Sequence, residues 1–331
     1  MRRILLLALT AVSLYLVGPA ILDVFSSWRE VLDLDPFLLQ LIVIAEIGVF
    51  WCQWVLLRIT LRQKRWTNVA TSQLAATAAS RVIPGGGAAA NALQYSMLVR
   101  GGVAPATAAT GLTAVNLMIT GIVFALPAVA LPAVLLGGRG IDEDLARFAW
   151  GGLAAIVVLV GAGFALLRWD SPLRWAGRLI ERISNRLRRK REPSHGLPDR
   201  LLQERDLIRD VLTSSWTEAL LLTVGRWAFD YGALLLALAA VDQHPAPSAV
   251  LLAFCVAQAL ALIPLTPGGL GFVEAGLTGT LALAGVPSGA AVAATLAYRL
   301  AAYWLPLPAG AIAYVIHART FGRSEPKPKP A

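Results

Sequence analysis

Charged side chains are scarce in this sequence of 331 residues, in which Asp, Glu, Lys and Arg together make up 15%. Soluble domains contain about 25% of these residues. Hydrophobic residues make up 57% of the chain. This composition excludes an ordinary soluble domain with a single buried core.

Cysteine and histidine are also rare, with two and three residues respectively. Cys52 and Cys255 both lie inside apolar stretches, which argues against a disulfide and against a metal site. The histidines are far apart in the predicted topology. The sequence contains no catalytic triad, metal cluster or pair of carboxylates, so we expect no enzyme activity and no cofactor.

Long apolar stretches are what the sequence has in abundance. Crossing about 30 Å of hydrocarbon takes about 20 helical residues, and helices satisfy their own backbone groups in lipid. The sequence therefore predicts an all-α, polytopic helical membrane protein with about six full spans. We place these spans near residues 4–22, 36–57, 105–136, 148–168, 213–240 and 289–317. The first also resembles a signal peptide, but the topology needs it as an uncleaved helix.

The net charge of +9 is gathered in clusters instead of being spread over one face. Basic residues lie near both termini, around 58–65 and between 168 and 191, whereas the loops near 33–35 and 142–144 are acidic. The positive-inside rule then predicts a multi-pass protein of the inner (plasma) membrane with both termini in the cytoplasm. This distribution argues against nucleic acid as a partner.

A short motif occurs twice, 183 residues apart. PGGG at 84–87 is followed by Asn91, and PGGLG at 267–271 is followed by Glu274. The 34 residues that start at each motif agree at ten positions. Paired breaks in apolar segments are typical of repeat-built membrane transporters, although a composition rich in Ala, Gly and Leu produces some matches by itself.

The predicted topology assigns each motif to the break of a hairpin. Hairpin 66–100 enters from the cytoplasm and hairpin 247–285 enters from outside, so the two copies form an inverted-topology repeat. Their breaks should approach each other near the midplane. Whether the hairpins are re-entrant or full-depth is open, because both leave the topology unchanged.

Five segments follow from this organisation. Residues 1–35 hold the first transmembrane helix and an external loop, and residues 318–331 form a disordered cytoplasmic tail. The repeat halves are 36–136 and 213–317. Between them, 137–212 contains a span and a basic amphipathic segment, 174–191, which either binds anionic headgroups or only enforces the topology.

Ionisable residues in apolar segments each cost about 2.5–3.5 kcal/mol and therefore need a partner or a function. They are Glu46, Arg81, Arg226, Asp230, Glu274 and Arg299. Arg226 and Asp230 are four residues apart and can pair on one helix face. Glu274 lies in the first turn of a half-helix, where an anion is favourable, and Arg299 is its expected partner.

The repeat places Asn91 at the position of Glu274 and Asn116 at that of Arg299. The pair is thus polar in one half and ionic in the other. A buried structural salt bridge and a substrate site are both compatible with the ionic pair.

The glycines of the two motifs suit either a phosphate, held by half-helix amides, or close helix packing. They are Gly85 and Gly86 in the first motif and Gly268, Gly269 and Gly271 in the second. Arg81 and Arg100 flank the first hairpin and could hold a headgroup phosphate. Arg100 could equally be a cytoplasmic anchor.

Two stretches carry a family resemblance: IPLTPGGLGFVEAGL at 263–277 and YRLAAYWLPLPAG at 298–310. Together with a weaker match at 83–103, they resemble the lysylphosphatidylglycerol synthase transmembrane (flippase-like) family over roughly 36–317. The resemblance implies a protein that moves, or helps present, phospholipids or lipid-linked intermediates between leaflets. It implies these site residues: Pro267, Gly268, Gly269, Gly271, Glu274 and Arg299.

The sequence departs from that family in two ways. Many members have an acidic residue after the first break, where this chain has Asn91. The aminoacyl-transfer domain of the synthases is not present in this sequence, so we expect no lysyl-lipid synthesis.

Three functions fit the sequence. The leading hypothesis is a lipid flippase or transporter that works through a midplane cavity. The alternatives are a membrane accessory that docks a glycosyl- or acyl-transferase, and an ion-coupled transporter of a small solute. The sequence leaves open whether the chain forms a homo-oligomer.

Overall fold

The computed structural model describes residues 34–83, 86–136, 161, 169–171, 174–175, 178, 206, 216–262 and 266–322. Within these ranges every regular element is helical and no strand occurs, so the all-α prediction is confirmed. Four predicted features lie wholly or largely outside the described residues. They are the spans near 4–22 and 148–168, the segment 174–191 and the tail 318–331.

The two repeat halves contain matching series of helices. The first half has α1 (Pro36–Thr60), α2 (Trp66–Val82), α3 (Gly86–Arg100) and α4 (Pro105–Leu136). The second half has α5 (Trp216–Ala240), α6 (Pro247–Ala261), a 3₁₀ turn (Pro267–Gly269), α7 (Phe272–Leu283), α8 (Ser288–Arg299), a π-helix (Leu300–Trp304) and α9 (Pro306–Phe321).

Four described stretches are long and apolar enough to cross a membrane. They are 36–60, 105–123, 216–240 and 288–321. They coincide with four of the six predicted spans. The shorter apolar helices α6 and α7 fall in the second predicted hairpin.

The first helix of each half ends in the same way. Both α1 and α5 have 25 residues, and each is followed by a residue with positive φ, Arg62 at 49° and Asp242 at 55°. The amide of Gln63 then donates to the carbonyl of Arg58 at 3.0 Å, and that of Gln243 to Leu238 at 2.9 Å. These bonds satisfy carbonyls that the helix end leaves free. The duplication therefore extends back to the first helix of each half.

The second helix of each hairpin also ends identically. Gly102 and Gly285 have φ values of 92° and 89°, a region that strongly favours glycine. The amide of Val103 donates to the Leu98 carbonyl at 3.0 Å, and the amide of Val286 donates to Leu281 at 3.1 Å. Each hairpin consists of two helices with a break between them, as the motifs predict.

The two halves run in opposite directions. Gly48 of α1 lies against the ring of Phe229 in α5, and Cys52, one turn later in α1, lies against Gly225, one turn earlier in α5. These equivalent helices are therefore antiparallel neighbours. Helix α2 packs on α9, as α6 packs on α4. Equivalent helices that run antiparallel are what an inverted-topology repeat requires.

Small side chains let these helices approach closely. Nine of the described alanines are each at most 2% exposed: Ala108, Ala114, Ala233, Ala237, Ala253, Ala257, Ala291, Ala294 and Ala297. Close approach increases van der Waals contact, which holds helices together where lipid removes the hydrophobic driving force. Cys52 and Cys255 are both buried free thiols.

The last span differs from the single helix predicted for 289–317. It breaks into α8, the π-helix and α9, and continues to Phe321. Pro306 explains the break, because its ring clashes with the carbonyl four residues earlier. The amide of Leu305 instead reaches five residues back and donates to Leu300 at 2.9 Å. Wide turns of this type often occur at functional sites.

Candidate functional site

The six ionisable residues predicted at membrane depth belong to one electrostatic cluster. Glu46 interacts with Asp230, Arg81 and Arg226. Arg81 and Asp230 also interact with Arg299, which pairs with Glu274. We call these six residues the charge cluster. Three acids and three arginines make the charge cluster neutral when all are ionised.

Glu274 and Arg299 form the closest ion pair of the charge cluster. The Nε of Arg299 donates to Oε1 of Glu274 at 2.6 Å. The other carboxylate oxygen accepts from the Gly271 amide at 2.7 Å, so Glu274 caps its own helix α7. The Nη2 of Arg299 lies 3.5 Å from the Gly268 carbonyl. The pair thereby fixes the second break.

The equivalent pair in the first half is also in contact. The Asn116 amide nitrogen donates to Oδ1 of Asn91 at 3.0 Å, and both residues are exposed. The repeat register therefore predicts two contacts correctly, one ionic and one neutral. The first turn of α3 has no acidic residue, so no carboxylate caps α3 as Glu274 caps α7.

Tyr303 connects the two breaks. Nη1 of Arg81 donates to the Tyr303 carbonyl at 2.7 Å, and the Tyr303 hydroxyl donates to the Arg81 carbonyl at 2.8 Å. The guanidinium of Arg299 lies 4.4 Å from the ring centroid of Tyr303, and that of Arg81 lies 5.3 Å from it. Gly268 packs against the same ring. Two arginines from different halves thus share one aromatic ring.

Asp230 and Arg226 form a second buried pair of the charge cluster. Nη2 of Arg226 lies 3.9 Å from Oδ2 of Asp230, and the Tyr298 hydroxyl donates to Oδ1 at 2.6 Å. The guanidinium of Arg226 also lies 3.9 Å from the centroid of Trp227. Its Nε and Nη1 have no hydrogen-bond partner among the described residues.

Tyr298 and Tyr303 are site residues that the sequence analysis missed. Both lie in the stretch that carries the family resemblance, on either side of Arg299. The sequence-based candidates were charged residues, because a charged side chain is energetically costly inside a membrane. Buried tyrosines usually find a hydrogen-bond partner, and this rule could have drawn attention to both.

Comparison with known proteins assigns the family. The sequence matches the family described as the lysylphosphatidylglycerol synthase TM region over residues 4–310. The chain belongs to this family. A UPF0104 membrane protein of Methanothermobacter thermautotrophicus is 31% identical over 98 residues, which are 30% of this chain and 28% of that protein. The matched stretch is thus less than a third of that relative. No solved structure matches the chain.

In this member of the lysylphosphatidylglycerol synthase TM family, the glycines of the second motif allow backbone conformations with positive φ. Gly268, Gly269 and Gly271 have φ values of 57°, 74° and 83°, which disfavour other residues. The Gly269 amide donates to the Thr266 carbonyl at 3.2 Å, and the Gly271 amide donates to Glu274. Both amides are used inside the protein, so in this conformation they are not available to a phosphate. Pro267 begins the 3₁₀ turn.

The first motif is described only from Gly86 onward, so Gly85 lies outside the described residues. Gly86 begins α3 and lies directly against the backbone of Ser80. A side chain at this position would clash with Ser80, so close packing accounts for the glycine. Gly87 faces open space.

Arg81 and Arg100 lie at different ends of the first hairpin, Arg81 in the last turn of α2 and Arg100 in the last turn of α3. Helix α3 separates them, with its 15 residues, and at 1.5 Å per residue this is roughly 20 Å. Arg100 is exposed at the far end. Arg100 therefore lies outside the charge cluster.

Proposed function

We propose that this membrane protein binds the phosphate headgroup of a phospholipid or lipid-linked intermediate beside Arg81 and moves that lipid between leaflets. The observation that carries the proposal is the asymmetry between the two breaks. In the second half, Glu274 supplies an anion to the start of α7. In the first half, the first turn of α3 contains no acidic residue.

Arg81 is the natural phosphate ligand at the first break. It hydrogen bonds a backbone carbonyl and forms no salt bridge with a described carboxylate. Gly86, at the start of α3, lies against Ser80, the residue before Arg81, and the first amides of a helix have no partner within that helix. A helix N-terminus and an arginine together favour a phosphate.

The arrangement of the two halves supports movement of the bound lipid. Tyr303 contacts Arg81 of the first half and Gly268 of the second, at a π-helix that interrupts the last span. A shift of one half against the other would change these contacts first. Rocking of inverted halves around a fixed site is a general route to alternating access.

The proposal includes the cellular membrane and the orientation of the protein in it. We assign the protein to the inner membrane with both termini in the cytoplasm, because the basic clusters lie on the side of both termini in the predicted topology. A phosphate bound near the middle of the membrane is then reachable from either leaflet.

A flipping assay tests the proposal. The protein is reconstituted in vesicles with fluorescent phosphatidylglycerol, and dithionite reports how fast inner-leaflet probe reaches the outer leaflet. Arg81→Gln should lower the protein-dependent rate at least about tenfold, since a lost charge-assisted hydrogen bond costs about 1.5–3 kcal/mol. Arg100→Gln is the matched control and should behave as wild type.

Two results would contradict the proposal. If monodisperse wild-type protein gives no rate above empty vesicles, the chain does not flip this lipid. If Arg81→Gln flips at the wild-type rate, the phosphate is not bound at Arg81.

A further inference from the structure

Glu46 is a buried acid that the proposed lipid site does not use. It lies in α1 and is 5% exposed. Its Oε1 has no hydrogen-bond partner among the described residues. A buried carboxylate oxygen without a partner is costly, and such groups in membrane helices usually have a function.

The groups around Glu46 come from three other helices. Asp230 and Arg226 approach from α5 and Arg81 from α2, while Tyr298 approaches from α8. Asp230 already accepts the Tyr298 hydroxyl at 2.6 Å and faces Arg226 at 3.9 Å. Glu46 is left with an acidic neighbour and an unused oxygen. A buried carboxylate between charges of both signs gains or loses its proton as the nearby charge changes.

The charge cluster is neutral when all six groups are ionised, and a phosphodiester would add one negative charge. In a low-dielectric interior, an added charge is expensive unless it is compensated. We propose that Glu46, beside Asp230, takes up one proton when an anionic phosphate binds at Arg81. This inference rests on the proposed function. The proton comes from hydronium in the bulk solvent, where one O–H bond breaks as another forms at Oε1, and the charge cluster with its bound phosphate returns to neutrality.

Proton and phosphate then strengthen each other's binding. Linkage is reciprocal, so the factor by which phosphate favours protonation is the factor by which protonation favours phosphate. The affinity for an anionic lipid should therefore fall as pH rises. Where Glu46 is ionised in the lipid-free protein, the Kd should rise about tenfold per pH unit, because one proton enters the equilibrium. A pH difference across the membrane could then drive lipid movement.

Proton uptake during lipid binding is the direct test. Purified full-length protein in a neutral detergent is mixed with phosphatidylglycerol in weakly buffered solution containing a pH indicator, and lipid binding is measured in parallel. Wild type should take up about one proton per bound lipid, by the charge balance above. Glu46→Gln should bind lipid with uptake close to zero. Glu218→Gln, an exposed acid in α5, is the matched control and should behave as wild type.

Further arms identify the ligand and the group that holds the proton. Diacylglycerol, which lacks a phosphate, should cause no uptake. Glycerophosphoglycerol, the phosphodiester headgroup without acyl chains, separates the two sources of phosphate. Uptake with it shows that a free phosphodiester suffices, and no uptake shows that the lipid is required. Infrared spectra of the lipid-bound protein should show a protonated carboxyl band that is missing in Glu46→Gln.

The outcomes separate this inference from the proposed function. Lipid binding by wild type without proton uptake overturns the inference and leaves the lipid site standing. Absence of lipid binding contradicts the lipid site and the coupling together. A carboxyl band that persists in Glu46→Gln places the proton elsewhere and also overturns the inference. If Glu46→Gln does not fold, the pH dependence of the wild-type Kd decides, since a Kd independent of pH excludes coupling.

Discussion

The ion pair Glu274–Arg299 can be tested against a neutral precedent within the same chain. The first half holds Asn91 and Asn116 at the equivalent positions, and these side chains contact each other at 3.0 Å. The perturbation is therefore Glu274→Asn, Arg299→Asn and the double variant. The double variant recreates in the second half the pair that the first half already contains.

The magnitude follows from what each single change leaves behind. Without Arg299, the Glu274 carboxylate keeps only the Gly271 amide. Without Glu274, the Arg299 guanidinium keeps the Gly268 carbonyl and the ring of Tyr303, and α7 loses its cap. Removal of one member of a buried pair costs about 3–5 kcal/mol. The Glu274 side chain is 22% exposed, so we take the lower end, about 3 kcal/mol for each single variant.

The double variant should lose far less than the sum of the singles, because it leaves no unpaired charge. We expect a coupling energy of about 2–3 kcal/mol, near the upper end for residues in contact. If about 1 kcal/mol shifts Tm by 2–4 °C, each single variant should lose roughly 6–12 °C and the double variant about the same.

Thermal unfolding in detergent, followed by tryptophan fluorescence, provides the measurement. The same substitutions at exposed Glu218 and Arg319 control for the change of residue type and should shift Tm by less than about 2 °C, as surface changes usually do. Strict additivity of the two single changes would refute the reasoning, since it would mean that the two side chains do not interact in the folded protein.

Two further predictions concern the glycines and the topology. Gly269→Val should abolish folded protein, because φ is 74° and a Cβ would lie 2.6 Å from Val273. Gly271→Ala meets open space and should cost about 1–3 kcal/mol, because its backbone has φ 83° and ψ −46°, a region that L-residues rarely adopt. Monodispersity on size exclusion compares the two variants, and well-folded Gly269→Val would contradict this account. Cysteines at the equivalent exposed positions Ala106 and Gly289 should be labelled from opposite sides of the membrane, and labelling from one side would exclude an inverted repeat.

The sequence analysis predicted best the features that depend on local pattern. Span positions follow from runs of apolar residues, and the contact between Glu274 and Arg299 follows from the cost of charge in lipid. The repeat register also predicted the contact between Asn91 and Asn116. Both of these contacts join residues of the same repeat half.

The repeat predicted that the two breaks approach each other, but the individual side-chain contacts between the halves could not be predicted. No sequence pattern indicates that α1 packs on α5, so the proximity of Glu46 to Asp230 could not be predicted. The role of Tyr303 depends on the π-helix, which needs both Pro306 and the packing of the last span on α2. The choice between phosphate binding and packing at the second break could not be made from the sequence either, because it depends on the Glu274 side chain turning back onto the Gly271 amide.

The two halves differ in one respect that needs an explanation, which is the presence of the ion pair Glu274–Arg299 in the second half. The second helices of the two hairpins, α3 and α7, end with the same hydrogen bonds, and Gly102 matches Gly285. In the first half, the position of the ion pair is occupied by the neutral pair Asn91–Asn116. The fold therefore does not require an ion pair at this position. A pair of charges is expensive to place in a membrane and is often no more stabilising than a neutral replacement. Its presence in one half only is explained if the second half supplies its own anion and the first receives one from a ligand.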